Sequence, residues 1–213
     1  MSRALVARFS AALAGSLALA CGPRTRTVLA AYESGERKSL TTEIQGDGGE
    51  WVAHGPFRTW SQTGGLSVEG GFASGEQAGH WVQWHPTGQL GSEGEFRAGK
   101  REGSWVFCSE DGVVLARGSF RADEKVGPWT YRHPNGKTKA FGSYLAGKRD
   151  GVWAESLEDG SIDPAASGLY EADVRLDSWP VLGLRTLWYN QAAGSKKSEE
   201  ELGERLDGRE ARN

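Results

Sequence analysis

Residues 79–96 read GHWVQWHPTGQLGSEGEF, and the same arrangement of glycines and aromatic residues returns every 24 residues. Each copy opens with a glycine, at Gly55, Gly79, Gly103, Gly127 and Gly151. An aromatic residue follows two places later, at Phe57, Trp81, Trp105, Trp129 and Trp153. A turn glycine stands nine places after the opening one, at Gly64, Gly88, Gly112, Gly136 and Gly160. A fixed period of this size is the signature of a repeat architecture.

Each copy has the composition of a β-hairpin. The first strand is predicted over 79–84 and the second over 89–96, with a turn that ends in Gly88 between them. Pro, Asn or Asp before a glycine is typical of hairpin turns, because glycine accepts a positive φ at little cost. A longer second turn, 97–102, leads to the next copy. We therefore predict an all-β fold, an elongated single-layer antiparallel sheet of stacked β-hairpin repeats of 24 residues.

The second strand carries two further columns. One is glycine, at Gly70, Gly94, Gly118 and Gly142, and the other is aromatic, at Phe72, Phe96, Phe120 and Tyr144. With four residues in the first turn and six in the second, each glycine of this column faces an aromatic ring of the next copy. The predicted pairs are Gly70 with Trp81, Gly94 with Trp105, Gly118 with Trp129, and Gly142 with Trp153. The same register places Phe72 opposite Gly79 and Phe96 opposite Gly103. A ring that covers a bare glycine across two strands fixes their register.

The two ends of the chain differ from the repeats. Residues 1–20 have two arginines before a short apolar run and the small-x-small site Ala18-Leu19-Ala20, which predicts a signal peptide. We predict a lipidated N-terminus and tether over 21–31, and hairpin repeats over 32–162. A degenerate capping repeat is predicted over 163–193, because terminal units of repeat proteins are atypical. Residues 194–213 are almost all charged or small and are predicted to be a disordered tail.

Cys21 follows the predicted cleavage site directly. This position is typical of a bacterial lipoprotein, in which the cysteine is lipidated and becomes the first residue. The expected location is therefore the cell envelope, with the protein held at the membrane through a lipid anchor. Plain secretion, to the periplasm or outside the cell, is the alternative. A Cys21–Cys108 disulfide is a second option in an oxidising compartment.

The repeated unit is similar to the MORN repeat, and more closely to the bacterial variant in proteins of the YwqK-like antitoxin family. The resemblance covers about 32–160 and rests on Gly-x-Trp, a turn that ends in Gly, Gly-x-Phe, and Gly-Lys before the next copy. The second turn that leads into the fourth copy departs from it at Asp123 and Glu124, which replace Gly and Lys. The resemblance implies a single-layer sheet and a non-catalytic interaction role. Cell-wall-binding hairpin repeats, which are also rich in glycine and tryptophan, are the alternative class.

Little in the chain favours catalysis. No nucleophile elbow, phosphate-binding loop or zinc-protease motif is present. His85 and His133 occupy the same turn position two copies apart, about 19 Å at four strand spacings, so they cannot share a metal ion. The net charge of -3 gives no basic signature of nucleic-acid binding. We therefore expect no enzyme activity, no cofactor and no metal.

Strand alternation predicts where recognition occurs. The aromatic column lies on one face, and the third and fifth places of the first strand lie on the other. That second set varies between copies: Arg58, Trp60, Val82, Trp84, Val106, Cys108, Thr130, Arg132, Ala154 and Ser156. Arg58, Trp60, Trp84 and Arg132 are the predicted binding residues, because Trp and Arg are enriched in interface hot spots. The basic second turns, Lys100-Arg101 and Lys148-Arg149, are a second candidate surface. The expected partner is a protein, or alternatively an envelope polymer bound by the tryptophans.

Overall fold

The computed structural model describes residues 23–178, which form thirteen β-strands and no helix. The strands are β1 (Thr25–Ala31), β2 (Arg37–Gln45), β3 (Trp51–Trp60), β4 (Leu66–Ala73), β5 (Glu76–Trp84), β6 (Leu90–Arg97), β7 (Lys100–Cys108), β8 (Val114–Arg121), β9 (Glu124–Arg132), β10 (Thr138–Leu145), β11 (Lys148–Glu155), β12 (Gly168–Glu171) and β13 (Val174–Ser178). The predicted signal peptide, Cys21, the tail over 194–213 and the cap beyond Ser178 lie outside the described residues.

The chain divides into two compact units, Met1–Gly127 and Pro128–Asn213, and the boundary falls inside β9. In the first unit, β1 to β8 are antiparallel neighbours in chain order. In the second unit, β10 to β13 are also antiparallel neighbours in chain order. The predicted all-β fold of stacked hairpins in an antiparallel sheet is therefore confirmed within each unit.

The first turn of a copy contains five residues. Trp84 pairs with Leu90, which leaves residues 85–89 in the loop, so the predicted four-residue turn is one residue too short. Gly88 has a φ of +86°, in the region that favours glycine. The predicted role of the turn-glycine column is therefore confirmed.

The second turn is much shorter than predicted. Arg97 pairs with Lys100, so only Ala98 and Gly99 form the turn, with φ values of 49° and 73°. Two successive positive φ values are typical of the type I′ turn, whose twist matches that of the flanking strands. The prediction of six loop residues is wrong because both strands continue to the end of the hairpin. In the turn that leads into the fourth copy, where Asp123 replaces the glycine, Asp123 adopts a φ of 73° and preserves this turn.

The opening glycines have a different role from the predicted one. Phe72 pairs with Gly55 on one side and, across the second turn, with Gln77 on the other, so the predicted pairing of Phe72 with Gly79 is wrong. Phe96 likewise pairs with Gly79 and Arg101 rather than with Gly103. Gly79 lies in a bulge: Glu69 pairs with Val82 and Gly71 with Ala78, so residues 79–81 lie opposite Gly70 alone. Its φ of +72° shows why a glycine is needed there.

The glycines of the second strand are covered by aromatic rings, as predicted. A Cβ added to Gly70 would lie 2.2 Å from Cδ2 of Trp81. The corresponding distances are 2.2 Å from Gly94 to Trp105 and 2.3 Å from Gly142 to Trp153. The three predicted pairs that lie within one unit are therefore confirmed. We call the side of the sheet that carries these tryptophans the ring face.

Each ring is also held by a hydrogen bond that the sequence did not predict. The indole N–H groups of Trp81, Trp105 and Trp153 donate to the backbone carbonyls of Gly71, Glu95 and Ser143, at 3.1, 3.2 and 3.0 Å. Each acceptor is the residue after the covered glycine. On the ring face, Trp81, Trp105 and Phe120 are buried in the first unit, and Trp153 and Tyr170 are buried in the second.

The described residues include the end of the predicted tether and the beginning of the predicted cap. Residues Thr25–Ala31 form β1 and pair with β2 along their length, so the prediction of a tether as far as residue 31 is wrong. Thr25, Thr27 and Val28 are β-branched residues, which favour a strand. In the predicted cap, Gly168 and Tyr170 recover the glycine and aromatic columns, because Gly168 pairs with Trp153 and Tyr170 is buried.

Candidate binding surfaces

The face opposite the rings is the one predicted to vary. Trp105 and Phe107 lie two places apart and stack with their ring centroids at 5.8 Å, so both belong to the ring face. The residues between and beside them therefore point to the other side of the sheet. We call this side the opposite face.

On the opposite face of the first unit, charged side chains are paired across neighbouring strands. Arg58 forms an ion pair with Glu69, and its side chain is half exposed. Nε2 of His80 lies 2.8 Å from Oε1 of Glu93. Glu69 and Glu93 occupy the same place in successive copies, and neither was predicted as a site residue from the sequence. Their recurrence one place before the covered glycine was the available signal.

The predicted variable set is not exposed along its whole length. Val82 and Cys108 are each only 7% exposed, and in the second unit Ala154 and Ser156 are also buried. Burial raises the pKa of the Cys108 thiol, and the nearby Glu93 carboxylate raises it further. Cys108 is a free thiol, and a raised pKa disfavours the reactive thiolate. These four positions fill space within the sheet and leave Arg58, Trp60, Trp84 and Val106 as the members of the first unit that are at least partly exposed.

Trp60 and Trp84 occupy the same place in adjacent copies, at the end of the strand that leads into the first turn. Both side chains are partly buried. The guanidinium of Arg37 lies 5.3 Å from the centroid of the Trp60 ring. Two strand spacings separate the two tryptophans, about 10 Å, which is a separation that one extended ligand can bridge.

The histidines of the first turns connect pairs of copies. Nε2 of His85 lies 2.9 Å from the carbonyl oxygen of Cys108, and Nε2 of His133 lies 2.8 Å from that of Ser156. The hydroxyl of Tyr32, at the equivalent turn position, donates to the carbonyl of Trp60 at 2.8 Å. The interpretation of the histidines as turn residues is therefore confirmed, whereas the equivalence of Tyr32 was missed.

The predicted basic residues of the second turns lie in two different environments. Lys100 and Lys148 are exposed. The Nε of Arg101 lies 2.8 Å from Oδ1 of Asp123, and its guanidinium lies 3.9 Å from the centroid of the Phe120 ring. The hydrogen bonds from Arg101 hold the pKa of Asp123 below its usual value.

Arg149 repeats this arrangement in the second unit. Its guanidinium lies 4.3 Å from the Tyr170 ring, its backbone N–H donates to Oδ1 of Asp173 at 2.8 Å, and its Nη1 contacts Glu155 at 2.9 Å. Both predicted arginines therefore already have an aromatic ring and a carboxylate as partners within the chain.

Arg132, the remaining predicted residue, belongs to the second unit. It is partly buried, and its Nη1 donates to the carbonyl of Gly136 at 2.8 Å. This contact is within its own first turn and fixes the side chain along that turn. Arg132 is therefore also a turn-stabilising residue.

Within residues 23–178, no group of three or more His, Cys, Asp or Glu side chains is arranged to hold a metal ion. No helix in that range is long and apolar enough to cross a membrane. Comparison of the chain with models of known protein families found no match, and comparison with curated proteins found none either.

Proposed function

We propose that this chain is a non-catalytic MORN-type repeat scaffold that binds a protein partner at the bacterial envelope. The observation that carries the proposal is that constant and variable positions lie on different parts of each copy. The side chains that hold the hairpins together recur at constant places on the ring face and in the turns, whereas the accessible side chains of the opposite face differ from copy to copy. A regular framework with variable accessible positions suits recognition of one particular surface.

Trp60 and Trp84 are the proposed centre of that contact. Each is only partly buried and so presents part of a large ring, and tryptophan is among the residue types enriched in interface hot spots. The Arg58–Glu69 pair lies on the same face and provides a charged rim. A partner that covered both tryptophans would gain apolar burial in the centre and charged contacts at the edge.

The proposed location depends on Cys21. Because β1 begins at Thr25, only residues 22–24 would separate a lipidated Cys21 from the sheet, a span of about 10 Å when extended. The first hairpin would then lie next to the membrane surface. Mass measurement of the N-terminal peptide from membrane-extracted protein tests this point, because a cysteine with acyl chains supports the anchor and an intact Met1 contradicts export.

The proposed function is tested by capture of partners from an envelope extract with the wild-type chain and with the Trp60→Ala/Trp84→Ala variant. A protein that binds the wild type and is lost with the variant supports the scaffold. Trp51→Ala is the matched control, because it removes a partly buried tryptophan from the other end of β3, where the ring contacts Arg26 at 4.3 Å. If the double variant folds and retains every partner, the opposite face is not the binding surface.

Glycan binding is the second candidate, and the pair of tryptophans about 10 Å apart is the observation that favours it. Sugar rings stack on aromatic side chains, and two platforms at this separation suit an extended polysaccharide. Binding of purified cell-wall polymer by the wild type, lost in the Trp60→Ala/Trp84→Ala variant, would favour this function over the protein scaffold. A captured protein that is toxic alone, and is inhibited by this chain, would indicate an antitoxin or immunity role.

A further inference from the structure

A groove opens at the second-turn edge of the first unit, between the β4–β5 and β6–β7 hairpins. Its volume is about 510 Å³, and the residues that line it include Glu76, Gln77, Glu95, Phe96 and Arg97. None of the residues proposed above for the partner contact contributes to it. The groove is therefore a separate surface.

The equivalent place in two other copies is filled by an arginine of the chain itself. In the next copy, Arg101 stacks on Phe120 and pairs with Asp123. In the second unit, Arg149 stacks on Tyr170 and bonds to Asp173. Each site thus consists of an aromatic ring, a guanidinium above it, and a carboxylate from the following turn.

The backbone around the groove is arranged as in the filled sites, but the arginine and the carboxylate of those sites are missing. The N–H of Gly99 donates to the carbonyl of Gln77 at 3.0 Å, as Asp123 does to Arg101 at 3.1 Å. Gln77 therefore stands where the other copy has its arginine, and Gly99 stands where it has its carboxylate. Phe96 is retained as the ring. The groove is the space that a guanidinium occupies elsewhere in the same protein.

The charges around the groove have changed in the complementary direction. Glu76 stands where the filled sites have Lys100 and Lys148, and Glu95 stands where they have Ser119 and Leu169. A Cβ at Gly99 would lie 3.8 Å from Cβ of Glu76, so Glu76 borders the slot that the Asp123 side chain fills in its own copy.

Arg97 also lines the groove and opposes a cation there. The filled site of the next copy has Arg121 at the same position and still holds its guanidinium, so this charge does not exclude one. Within the described part of the chain, no hydrogen bond or ion pair engages the carboxylates of Glu76 and Glu95.

We propose that this groove binds an arginine side chain of a protein partner, with its guanidinium over the Phe96 ring and Glu76 as its anionic neighbour. A planar guanidinium can stack on an aromatic face while its N–H groups bond in plane, which a lysine ammonium cannot do. The proposal rests on the proposed function in one respect, that the natural ligand is a polypeptide. It uses a different surface from Trp60 and Trp84.

The first test is an NMR titration of the full chain with an acetylated and amidated Ala-Arg-Ala peptide. The expected result is saturable shifts of the Gln77 and Gly99 amides, with dissociation constants on the order of millimolar for a single side chain. The same peptide with lysine should bind several-fold more weakly, and with neutral citrulline weaker still. Equal affinity for all three peptides, or no shift at these amides, overturns the proposal.

The second test fills the groove from within. The Gln77→Arg/Gly99→Asp variant restores the resident pair of the neighbouring copy, and Asp123 shows that an aspartate fits the required φ. This variant should lose at least about five-fold in affinity for the arginine peptide, about 1 kcal/mol by the affinity relation. Glu76→Gln should also weaken binding, while Glu110→Gln, an exposed carboxylate at the opposite edge, should not. Unchanged binding by both groove variants overturns the proposal.

Partner capture separates this proposal from the proposed function. A captured protein that is lost with Trp60→Ala/Trp84→Ala but retained by the filled-groove variant keeps the scaffold function and contradicts a role for the groove. Peptide binding in the groove without any captured protein supports the arginine site and contradicts the scaffold.

Discussion

The ring face and the opposite face of the first unit are built from alternate residues of the same strands, yet they tolerate change very differently. On the ring face, Trp105 lies against Gly94 so closely that a single methyl group would overlap it. On the opposite face, the same strand place holds Arg58 in one copy and Val82 in the next. The contrast shows that a single-layer sheet can place its closest ring contacts on one side and vary its residues on the other.

The largest expected effect is the loss of a ring. Trp105→Ala removes a buried side chain, its ring contacts with Phe96 at 5.2 Å and Phe120 at 6.0 Å, and its hydrogen bond to Glu95. We expect the free energy of unfolding to fall by about 4 kcal/mol, measured by urea denaturation. Val82→Ala on the opposite face should cost about 1.5 kcal/mol. If the two variants cost the same, the contrast between the faces is wrong.

The next effect comes from crowding rather than removal. Gly94→Ala places a methyl group 2.2 Å from the Trp105 ring, and the expected loss of unfolding free energy is about 3 kcal/mol. Gly65→Ala is the control, because its Cβ would meet only Oγ of Ser61 at 3.5 Å, an ordinary contact. Equal losses for both would mean that the glycines serve backbone freedom alone and not ring packing.

A smaller loss of unfolding free energy should follow removal of a hydrogen bond that connects a first turn to the next copy. His133→Ala deletes the hydrogen bond to the carbonyl of Ser156 in the second unit, and about 1 kcal/mol of unfolding free energy should go with it. Leu157→Ala changes the same turn position in the next copy, where the side chain is half exposed, and should have almost no effect. Thermal or urea unfolding of both variants measures the difference.

The smallest effect should depend on pH. The pKa of Asp123 is lowered in the folded chain, so its charge stabilises the fold above the ordinary aspartate value of about 3.9 and this stabilisation is lost as the pH falls through the lower folded value. Asp123→Asn keeps a residue type that tolerates positive φ and removes the charge. The unfolding midpoint of the variant should lie slightly below that of the wild type at neutral pH and converge with it in acid, once the Asp123 carboxyl is protonated in the folded chain as well. A difference that persists in acid would assign the effect to the backbone.

The sequence predicted what the period alone can determine. The columns of glycine and tryptophan indicated hairpins, and the pairing of Gly94 with Trp105 followed from matching a bare residue to a ring. The bulge at Gly79 could not be predicted in the same way, because a glycine that accepts a positive φ and a glycine that lies under a ring look identical in one sequence. The length of the second turn was overestimated because the polar residues at the ends of its two strands resemble those of a loop.

The candidate site was predicted only in part. The alternation of side chains along a strand correctly assigned residues to a face, but it does not predict how far each side chain is buried. Val82 is buried although it lies on the variable face, because it pairs with Glu69 on one side and Glu93 on the other, and both carry long side chains. The arginines of the second turns were recognised as basic, whereas their internal partners were missed because Asp123 lies one copy further along the chain.

The hydrogen bonds that connect the first turns to the following copies limit how the number of copies in this protein can change. Tyr32, His85 and His133 each reach from one copy to the following one, and the copies that receive them carry Ser61, Ser109 and Leu157 at that position. The sequence repeats every 24 residues, but a donor copy and an acceptor copy together make the smallest complete module. Duplication or excision of two successive copies therefore keeps donor and acceptor copies alternating, whereas duplication or excision of one internal copy places two donors or two acceptors side by side.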